Sequence, residues 1–162
     1  MATARNAQRC MEELRTQGYL PAKVEYYNSF IKRPGGTFGK RIDLYGIIDI
    51  LAIKPGEILG IQSASSYKDM MEHQRHYLVD TALTFNLIAW LDAGGAFQIW
   101  GWEKKRVVGS RKQWHLKTVE LRLEDIDAGQ ITLYRSRKLP APQEEDEHMN
   151  DLKPHAGGKA NE

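Results

Sequence analysis

One stretch constrains the fold of this chain more than any other: GIIDILAIKPGEILGIQSASS, residues 46–66. It contains two apolar runs joined by Lys-Pro-Gly-Glu at residues 54–57. These are the residues of a type II turn, with proline at the second position and glycine at the third, where φ is positive. Because apolar side chains occupy both faces of each run, we predict two strands, residues 42–53 and 57–64, in the middle of a sheet covered on both sides.

Each predicted strand carries one polar residue where a core residue is expected: Asp49 in the first and Gln62 in the second. A turn that pairs residue 54 with 57 also pairs 49 with 62, so the two side chains share a face. Directly opposed residues have Cβ atoms about 4.5–5.5 Å apart, and one oxygen from each could bind the same divalent cation. A hydrogen-bonded Asp–Gln couple is the alternative. We favour the metal site because a buried carboxylate is costly without a cation.

The rest of the sequence predicts an α/β fold. One helix covers residues 3–17, and its apolar face consists of Ala7, Cys10, Met11 and Leu14. A second begins at Ser66, with Asp69 as its capping partner, and continues to about residue 83; its inner side is expected to consist of Tyr67, Met70, Met71, Gln74, Tyr77, Leu78 and Ala82. Other expected segments are strands at 23–30, 96–104 and 114–123, a strand and turn at 85–95, a helical turn at 123–126, and a mobile, basic, glycine-rich loop at 32–41. The order is helix, three strands, helix, further strands, with a mixed sheet flanked by helices in one domain of residues 1–138.

The charges divide the chain into a basic body and an acidic tail. Residues 139–162 carry six acids, two lysines and almost no large apolar residues, a composition that predicts disorder. Without the tail, the net charge of +2 becomes +6, from 21 basic and 15 acidic groups, which suits a polyanionic partner such as nucleic acid. For each cluster of cations a solvated surface is the alternative. The candidates for contacts with DNA phosphates are Lys40, Arg41, Lys68, Arg75, Lys104 and Lys105.

Composition also excludes several classes of protein. No apolar run approaches the roughly 20 residues needed to span a membrane, and the start of the chain, MATARNAQRC, lacks the apolar segment of a secretory signal. The single cysteine, Cys10, cannot form an internal disulfide, which fits a reducing cytoplasm. Cys10 and the five histidines have no recognisable zinc-binding spacing. We therefore expect a cytoplasmic protein without a membrane segment.

The predicted hairpin resembles the signature of a known family. An apolar strand ending in aspartate, Gly46-Ile47-Ile48-Asp49, is followed by a turn, by a second apolar strand carrying Gln62 and Ala64, and by the helix from Ser66. This pattern is similar to the motif of the PD-(D/E)XK (restriction-endonuclease-like) nuclease superfamily. The likeness is to its Holliday-junction-resolvase-like phage members and to the virus-type replication-repair nuclease domain. It extends over about residues 4–122 and implies a restriction-endonuclease-like core.

The resemblance implies an activity and the residues that perform it. It implies a Mg²⁺- or Mn²⁺-dependent phosphodiesterase in which Asp49 and Gln62 bind the metal and a lysine at position 64 orients the attacking water. This sequence has Ala64 at that position, and Gln62 stands where most members have an acid. Lys68, four residues beyond Ala64 in the following helix, is the candidate for the missing cation, with a solvated helix residue as the alternative.

Three further acids are secondary candidates as metal ligands: Asp43, Glu12 and Glu13. Asp43 has the same strand parity as Asp49 but would lie roughly 20 Å from it in a straight strand. It could join the site only if the chain bends, as Gly46 would allow. Glu12 and Glu13 lie on the first helix, from which some members of the superfamily supply a carboxylate; surface charge is the alternative.

Two functions remain open after the resemblance is taken into account. The first is a divalent-metal-dependent DNA endonuclease or junction resolvase that hydrolyses phosphodiester bonds, with branched DNA among its candidate substrates. A resolvase of this kind would be a homodimer. The second is a catalytically inactive protein of the same fold that binds nucleic acid or a protein partner. Ala64 and Gln62 are the residues on which the choice depends.

Overall fold

The computed structural model describes residues 2–33, 36–106, 109 and 111–137. The predicted tail at 139–162 lies outside this range, so its disorder stays a prediction. Among the described residues, no helix has the length and apolar character that crossing a membrane requires.

The elements in chain order are α1 (Ala2–Thr16), β1 (Leu20–Lys23), β2 (Tyr26–Arg33), β3 (Gly36–Ile42), β4 (Ile50–Lys54), β5 (Glu57–Ala64), α2 (Tyr67–Val79), α3 (Thr81–Asp92), β6 (Ala96–Lys105), β7 (Gln113–Leu121), a 3₁₀ turn (Leu123–Asp125) and α4 (Ala128–Ser136).

Five strands form a mixed sheet in the order β1-β4-β5-β6-β7. β4 pairs antiparallel with β1 and with β5, β5 pairs parallel with β6, and β6 pairs antiparallel with β7. The parallel pair requires a crossover connection, which α2 and α3 provide. β2 and β3 form a separate antiparallel pair. The predicted α/β class, with a mixed sheet and helices, is therefore confirmed.

Helices cover both faces of the sheet, and each face has its own core. On one face α1 presents Cys10 and Leu14 at helical spacing, as predicted, and packs them against Ile61 and Trp100. On the other face the buried apolar side chains of α2 and α3 are Met70, Tyr77, Phe85, Leu87 and Ile88. Tyr67 and Met71, which were expected to line the inner side of α2, are exposed.

The central hairpin forms as the turn chemistry predicts. Residue 54 pairs with 57, 53 with 58 and 51 with 60, and Gly56 has a φ of +79°, which glycine adopts without strain. The first strand is shorter than predicted, because β4 begins at Ile50 and not at residue 42. Residues 43–49 instead form a bend, with a bridge between Leu44 and Ile48 and positive φ at residues 45 and 46.

The prediction for residues 23–41 is wrong in two respects. The expected strand at 23–30 overlaps β2, but β2 pairs with β3 and lies outside the main sheet. The expected glycine-rich loop at 32–41 contains most of β3. Glycine disfavours a strand locally, yet pairing with β2 satisfies the backbone hydrogen bonds of this segment. The first strand of the main sheet is β1, four residues long and too short to show alternation in the sequence.

The predicted strand at 85–91 is also wrong, because these residues belong to α3. Asp80 ends α2 and caps α3, and its side chain accepts a hydrogen bond from the backbone N–H of Leu83 at 3.1 Å. A short apolar run has no periodicity that separates a buried helix from a buried strand. The α4 helix, capped by Asp127, was not predicted. The helical turn expected at 123–126 is present.

Candidate metal centre

Asp49 directly precedes β4 and is 5% exposed. Its backbone N–H donates to the carbonyl of Ile61 at 2.9 Å, so it continues the pairing of β4 with β5. The side-chain amide of Gln62 donates to Asp49 Oδ2 at 2.9 Å, and the backbone N–H of Ser63 donates to the same oxygen at 2.9 Å. The predicted position of Asp49 opposite Gln62, on one face of the hairpin, is therefore confirmed.

Gln62 faces Asp49 with its nitrogen and not with its oxygen. Its Oε1 accepts a hydrogen bond of 2.7 Å from the hydroxyl of Tyr77 on α2. The opposite orientation of the amide would place the Gln62 oxygen against the carboxylate of Asp49. In this arrangement Gln62 orients Asp49, which differs from the predicted role of Gln62 as a metal ligand.

The bend at residues 43–49 brings Asp43 back to Asp49. Together with Glu25 they form an acidic cluster, in which one carboxylate oxygen from each residue lies within 4.8 Å of the other two. The chain reverses through positive φ values at Tyr45 (55°) and Gly46 (71°). Asp43, a secondary candidate in the sequence, therefore joins the site through the bend that Gly46 permits.

The third acid of the cluster, Glu25, lies in the short link between β1 and β2. The backbone N–H groups of Val24 and Glu25 donate to the carbonyl of Asp49 at 2.8 and 3.3 Å, so this link runs beside Asp49. The side chain of Glu25 is 8% exposed. Sequence reasoning assigned Glu25 to a strand and gave it no role. Only the pairing of β1 with β4 brings it to the site, and no local pattern encodes that pairing.

The acidic cluster fits a hard divalent cation. Oxygens on opposite sides of one cation lie about 4–5 Å apart, twice the metal–oxygen bond length, and the 4.8 Å spread of the cluster is within that range. Carboxylates are preferred ligands of Mg²⁺ and Mn²⁺. The structure thus contains residues that could hold a metal ion. They are Glu25, Asp43 and Asp49, and the predicted ligand Gln62 lies beside them, with its side-chain nitrogen 2.9 Å from Asp49 Oδ2.

The electrostatics of the acidic cluster also favour a bound cation. Burial and the neighbouring charge of Asp43 raise the pKa of Asp49 to about 8, while the N–H of Ser63 opposes this rise. Like charges at short range disfavour ionisation, whereas a cation favours it. Burial and the nearby charge of Asp49 also raise the pKa of Tyr77, so its hydroxyl stays protonated and can donate to Gln62.

Among the side chains that the structure describes, two cations contact the acidic cluster, and both bind Glu25. Lys23 Nζ, at the end of β1, lies 2.7 Å from Glu25 Oε1, and Arg41 Nη1, on β3, lies 3.7 Å from Glu25 Oε2. Ala64, where the resemblance implies a lysine, is fully buried in the core beneath α2. Lys68, the predicted substitute, lies in the first turn of α2 with an exposed side chain.

The other predicted site residues lie elsewhere on the structure. Glu12 accepts a hydrogen bond from Gln8 and Glu13 accepts one from Gln17, each at 2.9 Å within α1 and the residues after it. Since α1 covers the face of the sheet opposite to α2, neither acid joins the cluster. Lys40 on β3 and Arg75 on α2 are exposed. At the end of β6, Lys104 Nζ lies 5.0 Å from the ring of Trp114, and Lys105 Nζ lies 3.7 Å from Glu103.

Comparisons with known proteins do not add to this geometry. No family model, no curated protein and no solved structure matches the chain. The function is therefore inferred from the fold and from the acidic cluster.

Proposed function

We propose that this protein is a divalent-metal-dependent DNA endonuclease or junction resolvase. The observation that carries the proposal is the acidic cluster, whose carboxylate oxygens lie within 4.8 Å of one another beside the central hairpin. Metal ions held in this way catalyse the displacement of oxygen at phosphorus in nucleases and phosphatases. We accordingly propose Mg²⁺ or Mn²⁺ as the cofactor and a phosphodiester of DNA as the substrate.

The sheet topology supports this proposal. α1 precedes β1, β4 and β5, which pair antiparallel in that order, and α2 then leads towards β6, which is parallel to β5. A restriction-endonuclease-like core is expected to have this order of helix, three strands, helix and strand. The β2–β3 pair and α3 would be additions to it. We therefore propose membership of the PD-(D/E)XK superfamily, with Asp49 and Gln62 at the two motif positions of the hairpin.

At such a site the metal ion and the residues around Asp49 would have different roles. A bound Mg²⁺ or Mn²⁺ would supply Lewis-acid polarisation of the phosphate and an activated water. The N–H of Ser63 and the amide of Gln62 hold one oxygen of Asp49 in place. Tyr77 in turn fixes the amide of Gln62. Asp49 is thus oriented before a cation binds, which lowers the cost of assembling the site.

Cations on both sides of the acidic cluster support DNA as the substrate. β5 ends at Ala64, which pairs with Gly101, so the last residues of β6, including Lys104 and Lys105, extend past the end of β5. On the other side Lys40 and Arg41 lie at the end of β3, which leads directly into Asp43. Contacts from such residues to phosphates fix the position of DNA without reading its sequence.

A catalytically inactive protein of the same fold is the second candidate. Two observations favour it: buried Ala64 replaces the expected lysine, and the oxygen of Gln62 accepts its hydrogen bond from Tyr77. Such a protein would bind nucleic acid or a protein partner. Metal-dependent cleavage distinguishes the two candidates.

The decisive experiment compares the wild type with Asp49→Asn. The full-length protein is incubated with duplex, single-stranded and four-way-junction DNA in Mg²⁺ or Mn²⁺, with chelated metal as the blank. We expect the wild type to cleave at least one substrate, and Asp49→Asn to cleave it about 100-fold more slowly or worse. The substitution removes one negative charge from the ligand set while keeping the size of the side chain.

Asp92→Asn is the matched control, because Asp92 lies at the end of α3, where it pairs with Arg135 at 3.0 Å. This variant should cleave at the wild-type rate. Absence of metal-dependent cleavage of all three substrates by the wild type would contradict the endonuclease. Salt-sensitive DNA binding that survives Asp49→Asn would then support the inactive candidate. A resolvase would also behave as a homodimer and cut a junction symmetrically.

A further inference from the structure

The acidic cluster has carboxylates, but β5 does not supply the expected cation. Ala64 is fully buried, and its carbonyl accepts a hydrogen bond of 3.4 Å from the side chain of Asn6. Lys68, the next basic residue along the chain, is exposed in the first turn of α2. Hydrolysis of a phosphodiester nevertheless benefits from a fixed positive group where negative charge develops in the transition state.

Lys23 already lies against the acidic cluster. Its Nζ is 2.7 Å from Glu25 Oε1. In the β1–β4 pair Lys23 lies opposite Ile50, the residue after Asp49, whose side chain belongs to the α1 face. The stem of Lys23 therefore starts on that face, and its Nζ reaches the acidic cluster through Glu25 at the end of β1. The N–H groups of the two residues after Lys23 donate to the carbonyl of Asp49, so the backbone holds Lys23 beside the site. Because its side chain is 44% exposed, the ammonium group is accessible to a bound ligand.

Arg41 fits this role less well. Its Nη1 lies 3.7 Å from Glu25 Oε2, 1 Å further than the Lys23 contact, and it belongs to the separate β2–β3 pair. A lysine also has a compact charge on a flexible stem. The ammonium group of Lys23 can therefore move from the carboxylate of Glu25 to a phosphate oxygen when Glu25 binds a metal ion instead.

We propose that Lys23 supplies the cation of this site and contacts the scissile phosphate, in the role implied for a lysine at position 64. The inference rests on the proposed function. In the reaction, the oxygen of water bonds to phosphorus and the bond from phosphorus to the leaving deoxyribose oxygen breaks. The water loses its proton to solvent, and the leaving oxygen gains one. Lys23 stays protonated and donates Nζ–H to a non-bridging phosphate oxygen.

A metal ion and Lys23 compete for the same carboxylate in this arrangement. Removal of Lys23 should therefore slow cleavage while it tightens metal binding at Glu25. A lysine that only held Glu25 in position would have the opposite effect, since its loss would leave the ligand disordered and weaken metal binding. Metal affinity thus separates the two roles without any measurement of activity.

The test compares Lys23→Met, Lys23→Arg and Lys68→Met, with Lys54→Met as the control. Calorimetry measures Mn²⁺ binding without DNA, and single-turnover kinetics measures cleavage of a substrate that the wild type cuts. We expect Lys23→Met to cleave about 100-fold more slowly and to bind Mn²⁺ about two- to fivefold more tightly, the range for loss of one exposed ion pair. Lys23→Arg should recover part of the rate, and Lys68→Met should cleave faster than Lys23→Met. Lys54→Met, which removes a lysine paired with Glu57 at 3.1 Å in the β4–β5 turn, should match the wild type.

Three results would overturn the role of Lys23 while leaving the proposed function intact. They are wild-type cleavage by Lys23→Met, slow cleavage combined with weaker Mn²⁺ binding, and loss of cleavage in Lys68→Met alone. A wild type that cleaves no DNA would instead refute the proposed function, and the role of Lys23 with it. Thermal melting checks that each variant is folded, and Lys23→Gln replaces Lys23→Met if the latter does not fold.

Discussion

Two hydrogen-bond donors near Asp49 favour its ionised form, and two neighbouring acids disfavour it. The N–H of Ser63 and the amide of Gln62 both donate to Oδ2, whereas Asp43 and Glu25 bring negative charge close to the same carboxyl group. Burial also disfavours the ionised form and is the largest cause of the rise in the pKa of Asp49 to about 8. Without a metal ion, this residue is therefore a source of instability at neutral pH.

That instability has a definite pH dependence. A carboxyl group whose pKa is higher in the folded than in the unfolded chain costs stability as the pH rises between the two values, here from about 4 to about 8. We expect the metal-free wild type to lose stability over this window at up to about 1.4 kcal/mol per pH unit for this one group. Asp49→Asn, which does not titrate, should lack this component.

Urea unfolding in a chelator at pH 5, 6.5 and 8 measures the effect. Mn²⁺ should restore the stability of the wild type at pH 8, because it binds only the folded state, and should have much less effect on Asp49→Asn. The same dependence of unfolding free energy on pH in both proteins would show that Asp49 does not carry the shift.

Gln62 illustrates why the identity of a residue did not determine its role. In the metal-free hairpin a glutamate at this position would place a second carboxylate against Asp49 Oδ2, whereas the amide of Gln62 donates a hydrogen bond there. Its oxygen is directed towards α2 by Tyr77, 15 residues away in the chain. The sequence predicted the proximity of Asp49 and Gln62. The hydroxyl of Tyr77 determined which end of the amide faces the site.

At the scale of elements, the bend at residues 43–49 has the greatest effect on the site. It ends the predicted strand early and returns Asp43 to Asp49. Gly46, with a φ of 71°, is in a conformation that costs other residues about 1–2 kcal/mol. A Cβ added to Gly46 would also lie 3.4 Å from Leu83 Cδ2, a normal contact, so the cost of a substitution there is mainly conformational.

We therefore expect Gly46→Ala to lower the free energy of unfolding by about 1 kcal/mol and to weaken Mn²⁺ binding, because the bend that holds Asp43 is strained. Gly56→Ala is the control. Gly56 also has positive φ, at 79°, and a Cβ there would meet open space, so this variant should lose similar stability but keep its metal affinity. Calorimetry and urea unfolding measure both quantities. Equal metal affinities in the two variants would exclude the bend as the support of Asp43.

Elements were predictable from the sequence where a local signal specifies them. Proline and glycine at the β4–β5 turn fixed the register, and Ser66 caps α2 through a 3.1 Å bond from Asp69. The apolar face of α1 follows helical spacing and is buried as predicted. The prediction for the α3 segment was wrong because both a helix and a strand can be buried on all sides. The prediction for β3 was wrong because this strand forms by pairing with β2, which its own residues do not signal.

At the scale of the whole molecule, the topology gathers the charged features at one end of the sheet. Asp49 lies at the start of β4 and Gln62 near the end of β5, and the parallel β6 carries its last residues past the same end. There Trp114 is 40% exposed, and the charged groups of Arg9 and Lys104 lie 3.9 and 5.0 Å from the centre of its ring. If DNA is the substrate, as proposed, these cations at the same end of the sheet are candidates for contacts with its phosphates.

Lys104→Gln should weaken DNA binding to a similar extent for all DNA sequences. The slope of the logarithm of the binding constant against the logarithm of the salt concentration should fall in magnitude by about 1, the effect of one lost phosphate contact. Binding is measured with Ca²⁺, over a range of salt concentrations. Arg135→Gln is the control, since it removes an equal charge at the opposite end of the sheet, where Arg135 pairs with Asp92. An identical loss of affinity in both variants would indicate that only net charge matters.

The sequence by itself determined the α/β class, the central hairpin with its register, and the position of Asp49 opposite Gln62. These depend on interactions within a few residues of a turn or along one helix face. Tertiary structure alone decided that Glu25 and Asp43 complete the acidic cluster and that Lys23 lies against it. The bend at Gly46 returns Asp43 to Asp49 across 6 positions, and the pairing of β1 with β4 brings Glu25, together with its neighbour Lys23, to Asp49 across 24 positions. Such contacts arise from the packing of the whole sheet, so no local pattern could predict them.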